Sequence, residues 1–225
     1  MKRISIFLAT LFLGLCCPPP LAAQSPFKKE WAAGASFGVD FASVSFSPRV
    51  LTTMKKGYTA GATVRWITES HLGLQLEANY VQLGWQERFD NNPEYHYSRT
   101  VNYMELPFLT HIYFGSQRFR GFFNLGPRLG FALNEHTESN LNGKNPEPNR
   151  PDEQHKLAIQ KSFDWGLCGG PGMEVRTPVG CFLLEGRFNM SFSNIFNSRK
   201  GDTFSKSANQ FLSAKLTYLI PFSRK

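Results

Sequence analysis

The chain of 225 residues is poor in long apolar stretches. Only one run approaches the roughly 20 residues that a membrane helix needs, and it lies at the extreme N-terminus. That excludes a helical-bundle membrane protein. Charged residues make up only 19% of the chain, and no segment beyond the N-terminus sustains a 3.6-residue apolar period, which excludes a coiled coil. Cysteine is scarce, with four in all. There is no C-x-x-C, no H-E-x-x-H, no zinc-ligand spacing and no glycine-rich phosphate loop, so no metal or nucleotide cofactor is expected. Aromatic residues, by contrast, reach 14%, with 21 Phe among them, too many for a disordered chain. Together with 19 Gly and abundant Ser, Thr and Val, they point to β structure.

The first residues read as a secretory signal peptide. Lys2 and Arg3 supply the positive region, Ile4–Leu15 the apolar core, and Leu21-Ala22-Ala23 a small-residue cleavage site. Residues 1–23 are therefore assigned to the signal peptide and 24–225 to one barrel domain. A lipoprotein reading through Cys16 or Cys17 is weaker, because Leu15 and Cys16 are poor preceding residues for that processing. Cleavage lowers the formal charge from +8 to +6 and leaves Cys168 and Cys181. The basic residues are scattered and the chain is exported, so nucleic acid is not an expected partner.

The rest repeats one texture, apolar–polar alternation over stretches of 9 to 14 residues broken by turn clusters. Eight such segments run roughly over 31–42, 57–67, 71–85, 99–114, 119–133, 162–176, 179–193 and 209–222. Essentially no helix is expected after the signal peptide. Thr68-Glu69-Ser70, Gly115–Arg118 and Thr177-Pro178 make tight connections. The connections 43–56, 86–98, 134–161 and 194–208 are long and polar. Short turns on one rim and long loops on the other describe an all-β, eight-stranded antiparallel up-and-down barrel. An even strand number returns both termini to the short-turn side.

One parity of these strands is apolar, including Phe37, Leu76, Phe108, Leu125, Trp165, Phe188 and Leu216. The other carries Asp40, Glu77, Glu105, Asp164, Glu174 and Glu185 with Arg65, Arg120, Arg128, Arg176, Arg187 and Lys215, among many glycines. Apolar side chains pointing inward would give a soluble lipocalin-like carrier of a small apolar ligand; pointing outward, they give a transmembrane barrel. Five of the six bases are Arg, which suits desolvated bidentate pairing. Glycines suit a crowded eight-stranded interior. Strands of this length also match the roughly 9–11 residues needed to cross a bilayer at a tilt. The outward arrangement is therefore expected, with a filled polar lumen.

The opening strand AAGASFGVDFASV, the strands NYMELPFL and FFNLGPRLGFAL, the pair FDWGLCGGPGMEV and FLLEGRFNMSFSNIF, and the last strand LSAKLTYLIPF resemble the PorT-type outer-membrane β-barrel family of the Bacteroidota. The resemblance spans 30–222. It implies a bacterial outer-membrane location with periplasmic termini, and it brings type IX secretion and surface-protein export into view as a role.

Twelve inward charges of balanced sign read more readily as a neutralised lumen filling than as an ion path, since isolated buried charges cost several kcal/mol each. A plugged barrel is expected. The nearest approach to a catalytic site is His111 with Glu105 and Tyr113 on one strand face, yet no nucleophile stands beside it. His96, His136 and His155 fall in long loops without close ligand spacing, and His71 has no evident partner. Cys168 and Cys181 sit too far apart along neighbouring strands to bridge, which predicts two free buried thiols. Aromatics near strand ends, among them Trp31, Trp66, Trp85, Trp165 and Phe222, fit interfacial girdles.

Loop 134–161 is the most plausible recognition surface. Arg49, Lys55, Lys56, Arg199, Lys200 and Lys206 place positive charge on the same rim, where lipopolysaccharide phosphates would lie. The reading is a non-catalytic outer-membrane barrel with outer-membrane lipid, lipopolysaccharide and other envelope or secretion proteins as partners. Its rivals are the lipocalin-like carrier and a lipid-modifying outer-membrane enzyme.

Overall fold

The computed structural model describes residues 29–144, 146 and 153–222. The signal-peptide assignment, with Cys16 and Cys17, lies outside them. Eight long strands form the wall: β1 Glu30–Ser47, β2 Lys55–Glu69, β3 Leu72–Glu87, β4 Tyr97–Gly115, β5 Phe119–Ser139, β6 Phe163–Thr177, β7 Gly180–Ser191 and β8 Lys206–Phe222. Each pairs antiparallel with the next. β8 returns to β1 from Trp31↔Phe222 to Ser47↔Lys206 and closes the ring. A closed ring leaves no unpaired edge, the condition for crossing hydrocarbon with strands.

The expected tight turns hold one rim together, with His71 at a φ of 74° in the β2–β3 turn. The apolar parity faces outward: Phe37 is 57% exposed and Leu216 56%, while Arg65 and Arg128 are fully enclosed. The greasy calyx of a lipocalin-like barrel is therefore not what this chain builds. On β3 the outward apolar residues run from Leu72 to Tyr80, about 26 Å at 3.3 Å per residue, close to the apolar band of an outer-membrane barrel.

Crowding inside explains the inward glycines. A Cβ on Gly172 would come within 2.2 Å of the Phe122 ring, and one on Gly38 within 3.0 Å of both Thr59 and Lys215 side chains. Cys168 and Cys181 are free and buried. Cys181 pairs in register with Arg176 and Cys168 with Asn189, so the two thiols stand at different levels of the barrel.

Two expectations need correction. Several strands run beyond their predicted ends at the long-loop rim: β1 continues to Ser47, β5 to Ser139, and β8 begins at Lys206. Loop 134–161 also contains a helical turn, α1, over Glu153–Lys156. One turn is too short to leave a periodic stripe in the sequence. Its Glu153 at the start and His155 and Lys156 at the end suit the helix dipole.

The strand extensions reverse the pattern found lower down. Inward positions become apolar, with Ala42, Val44 and Phe46 on β1 and Val81, Leu83 and Trp85 on β3 all buried. Outward positions become polar, as at Ser43 and Ser45, Gln82 and Gln86, and His136 and Glu138. Below this level the wall turns apolar side chains outward; above it, apolar side chains point inward and polar ones outward, as in a water-soluble barrel.

Candidate functional site: the filled lumen and its cap

The lumen is built in layers from inward positions of all eight strands. At the short-turn end Ala32, Ile67, Tyr113, Phe122, Cys181, Leu183 and Leu219 form an apolar plug. At its rim Arg176 reaches Glu30 at 2.5 Å. The next layer holds a bidentate pair, Arg65 to Glu174 at 2.9 and 3.0 Å, and His111, whose Nδ1 lies 2.8 Å from Asn124 Oδ1.

The middle layer centres on Glu77. Arg187 grips it with two hydrogen bonds of 2.8 and 3.0 Å, and Lys215 Nζ donates to it at 2.7 Å. Gln75 and Asn79 amides complete its shell at 2.7 and 2.9 Å. The same Arg187 binds Glu185 at 2.8 and 2.9 Å. Asp40 accepts from the Ser213 hydroxyl at 2.6 Å. Above it, Arg128 binds Glu105, the Ser191 hydroxyl and Asp164, the last at 2.8 Å. Ala42, Val81, Leu83, Val101, Tyr103 and Phe211 then close the polar section with a second apolar layer.

This geometry decides the chemistry. Arg187 and Arg128 each divide their hydrogen bonds between two carboxylates, Arg65 pairs with Glu174, and Asp40 keeps Oδ2 buried without a donor, so the buried carboxylates are held chiefly as ion-pair partners. His111 pairs with Asn124 rather than with Glu105, which belongs to Arg128. The predicted His–Glu arrangement is thus corrected. Arg120 also departs from the expected network: it lies over the Tyr113 ring at 4.6 Å, and Glu30 joins the charge system instead. His71, expected to lack a partner, places Nδ1 3.0 Å from the Tyr113 carbonyl oxygen.

The long-loop rim is capped by a core of its own. Val44, Phe46, Val50, Trp85, Phe89, Tyr97, Leu141, Ile195, Phe196 and Phe204 form a buried cluster drawn from strand extensions and loops. Beside it lies a second polar knot. Gln154 of α1 is fully buried and donates to Glu87 at 2.8 Å, and His155 Nε2 stands 3.0 Å from both Glu87 oxygens. The His155 ring packs on Tyr97 at 4.1 Å between centroids, and Arg99 Nη1 donates to the Gln154 carbonyl at 3.2 Å. Burial pushes the Tyr97 hydroxyl pKa up. Sequence reading placed His155 among solvated loop residues and did not find Glu87, Arg99 or Gln154 at all. The one available signal was alternation continuing past Trp85, which puts Glu87 on the inward face.

Of the six rim bases, Arg49, Lys56, Arg199, Lys200 and Lys206 are exposed. Lys55 is not free in the same way: its Nζ donates to Ser98 Oγ at 2.5 Å, and burial pulls its pKa down. Among the described residues no cluster of three or more His, Cys, Asp or Glu is arranged to hold a metal.

The family described as Outer membrane protein beta-barrel domain matches residues 22–197 of the chain. Among solved structures, the outer membrane protein OprG from Pseudomonas aeruginosa aligns with a TM-score of 0.52 and 11% identity, over 88% of this chain and 97% of that one. Ail of Yersinia pestis gives 0.43 at 12% identity, covering 85% and 99%. Outer Membrane Protein W of Escherichia coli gives 0.39 at 15%, covering 85% and 98%. At these identities the likeness concerns the fold alone. No curated protein matches the sequence.

Proposed function

The chain belongs to the outer membrane protein beta-barrel domain family, and from that premise we propose a non-conducting, non-catalytic role for it in the bacterial outer membrane. Its even number of strands and its tight turns support a periplasmic position for both termini. The capped long-loop rim would then face outward as its working surface. Exposed Arg49, Lys56, Arg199, Lys200 and Lys206 suit contact with lipopolysaccharide phosphates. The observation that carries this reading is the filling of the lumen: a middle section of paired charges lies between two apolar layers, which would bar the passage of ions.

Purified protein in planar bilayers should therefore give no single-channel steps; regular steps would overturn the plugged reading. Within the family, the PorT-type strand motifs support an interaction role in a type IX secretion or surface-export assembly. Affinity capture of the tagged protein from cross-linked, detergent-solubilised envelopes, read by mass spectrometry, should recover envelope or secretion proteins in constant proportion. Recovery of lipid and the bait alone would sink the assembly role.

A further inference from the structure

We infer that the lipid-facing wall of β1–β4, next to the short-turn rim, binds one molecule of a zwitterionic aminophospholipid. This rests on the outer-membrane reading above, with the short turns at the phospholipid leaflet.

A groove of about 300 Å³ is cut into this wall and lined by Trp31, Val64, Trp66, Leu74, Leu76 and Phe108. The strand register shows how it forms. Trp31, Trp66 and Leu74 make one row across three strands, and Ala33, Val64, Leu76 and Phe108 the next. The row beyond is Ala35, Ala62 and Ala78, methyl groups only, before Phe37, Ala60 and Tyr80 raise the wall again. Trp31 and Trp66 stack with centroids 5.1 Å apart and an interplanar angle of 8°, which gives the groove a flat, stiff end at the rim. A water occupies about 30 Å³, and a methylene is of similar size, so the groove accepts a run of roughly ten methylenes, most of one acyl chain.

The rim below the tryptophans supplies the headgroup argument. Lys29 is exposed and shares the outward parity of Trp31. The β1–β2 ladder starts at Glu30↔Ile67 and β2 is irregular between Ile67 and Glu69, so Lys29 and the exposed Glu69 lie on the same rim just beyond that pairing. No ion pair joins Lys29 and Glu69, and Tyr113 takes only the Glu69 backbone carbonyl, at 3.4 Å. A cation and an anion on the same rim, at the mouth of an apolar groove, complement a phosphate and a primary ammonium on one headgroup. A purely anionic headgroup would meet Glu69 with repulsion.

Brominated lipids quench tryptophan only on contact, and the four tryptophans allow an internal comparison. Trp165→Phe leaves Trp31 and Trp66 as lipid-facing reporters, whereas Trp31→Phe/Trp66→Phe leaves Trp165 on the opposite wall. Trp85, buried in the cap, is a constant background in both. The variants are reconstituted in phosphatidylcholine vesicles with increasing brominated phosphatidylethanolamine. Half-maximal quenching of Trp31 and Trp66 should occur at about a fivefold lower mole fraction than for Trp165, the scale expected of two partly screened charge contacts.

Lys29→Gln/Glu69→Gln, added to the Trp165→Phe variant, should bring that curve back onto the Trp165 curve. Brominated phosphatidylglycerol should show a smaller preference than phosphatidylethanolamine. Coincident curves for both walls with every lipid would overturn the site, because ordinary boundary lipid would then fill the groove. Quenching of Trp165 with none at Trp31 and Trp66 would overturn it in favour of a second protein copy there. Quenching at neither wall would remove the membrane reading itself along with the site.

Discussion

Replacing Arg187 with leucine should destabilise the folded barrel by about 3–5 kcal/mol, the cost of leaving buried charge without its partner. Arg187 bridges two enclosed carboxylates, Glu77 and Glu185. Without it Glu77 keeps Lys215 at 2.7 Å, but Glu185 loses both of its hydrogen bonds from Arg187. The damage should therefore localise on Glu185. Adding Glu185→Leu should recover part of the loss, since apolar replacement of a whole buried pair is often neutral. Urea unfolding in lipid vesicles, followed by the heat-modifiable shift in electrophoretic mobility, reads both variants. An Arg187→Leu barrel with an unchanged midpoint would show that Arg187 does not hold the lumen together, and a double variant no better than the single would break the coupling to Glu185.

The same parity rule that predicts this behaviour was readable in the sequence because lipid and lumen impose opposite demands on alternate residues. Phe37, Leu125 and Leu216 could be assigned outward, and Arg65, Glu77 and Arg187 inward, from alternation alone. Turn lengths then gave the rims. The pairing of particular charges was less accessible, because it depends on strand stagger. Arg65 and Glu174 meet across the lumen from β2 and β6, which are not neighbours in the sheet. Arg120 could not be distinguished from the paired arginines on parity, yet its level at the rim lets it lie over Tyr113 and remain partly exposed.

The cap was hidden for a different reason: its strands change solvent along their length. Where the wall leaves lipid, the apolar phase jumps by one residue, and two apolar residues fall side by side. Phe41-Ala42, Tyr80-Val81, Tyr103-Met104 and Phe211-Leu212 are such doublets, the first pair member outward and the second inward on β1 and β3, and the reverse on β4 and β8. Taken as breaks in alternation, they end a strand; taken as a phase change, they extend it into water. The ten-residue core of Phe46, Trp85, Phe196 and their neighbours follows from the second interpretation.

That cap is the surface on which the proposed interactions depend, and Glu87→Leu should loosen it without harming the barrel. The substitution removes the carboxylate that accepts from Gln154 and that lies 3.0 Å from His155 Nε2, leaving a fully buried amide without that acceptor. An unsatisfied buried group costs about 1–3 kcal/mol, so the open population of the segment carrying α1 should rise about 5- to 150-fold. When opening is fast relative to cleavage, proteolysis reports that population. Limited trypsinolysis should cut after Lys156 and Lys161 faster by a factor in this range, while the lipid-embedded strands stay intact and the heat-modifiable shift is preserved. Glu87→Gln, which retains an acceptor oxygen, should fall between the two. If Glu87→Leu is cleaved at the wild-type rate, the knot does not fasten the loop, and the apolar cluster around Phe46 and Phe196 must hold the cap closed without it. A faster cut accompanied by loss of the captured envelope partners would tie the proposed recognition to the closed cap.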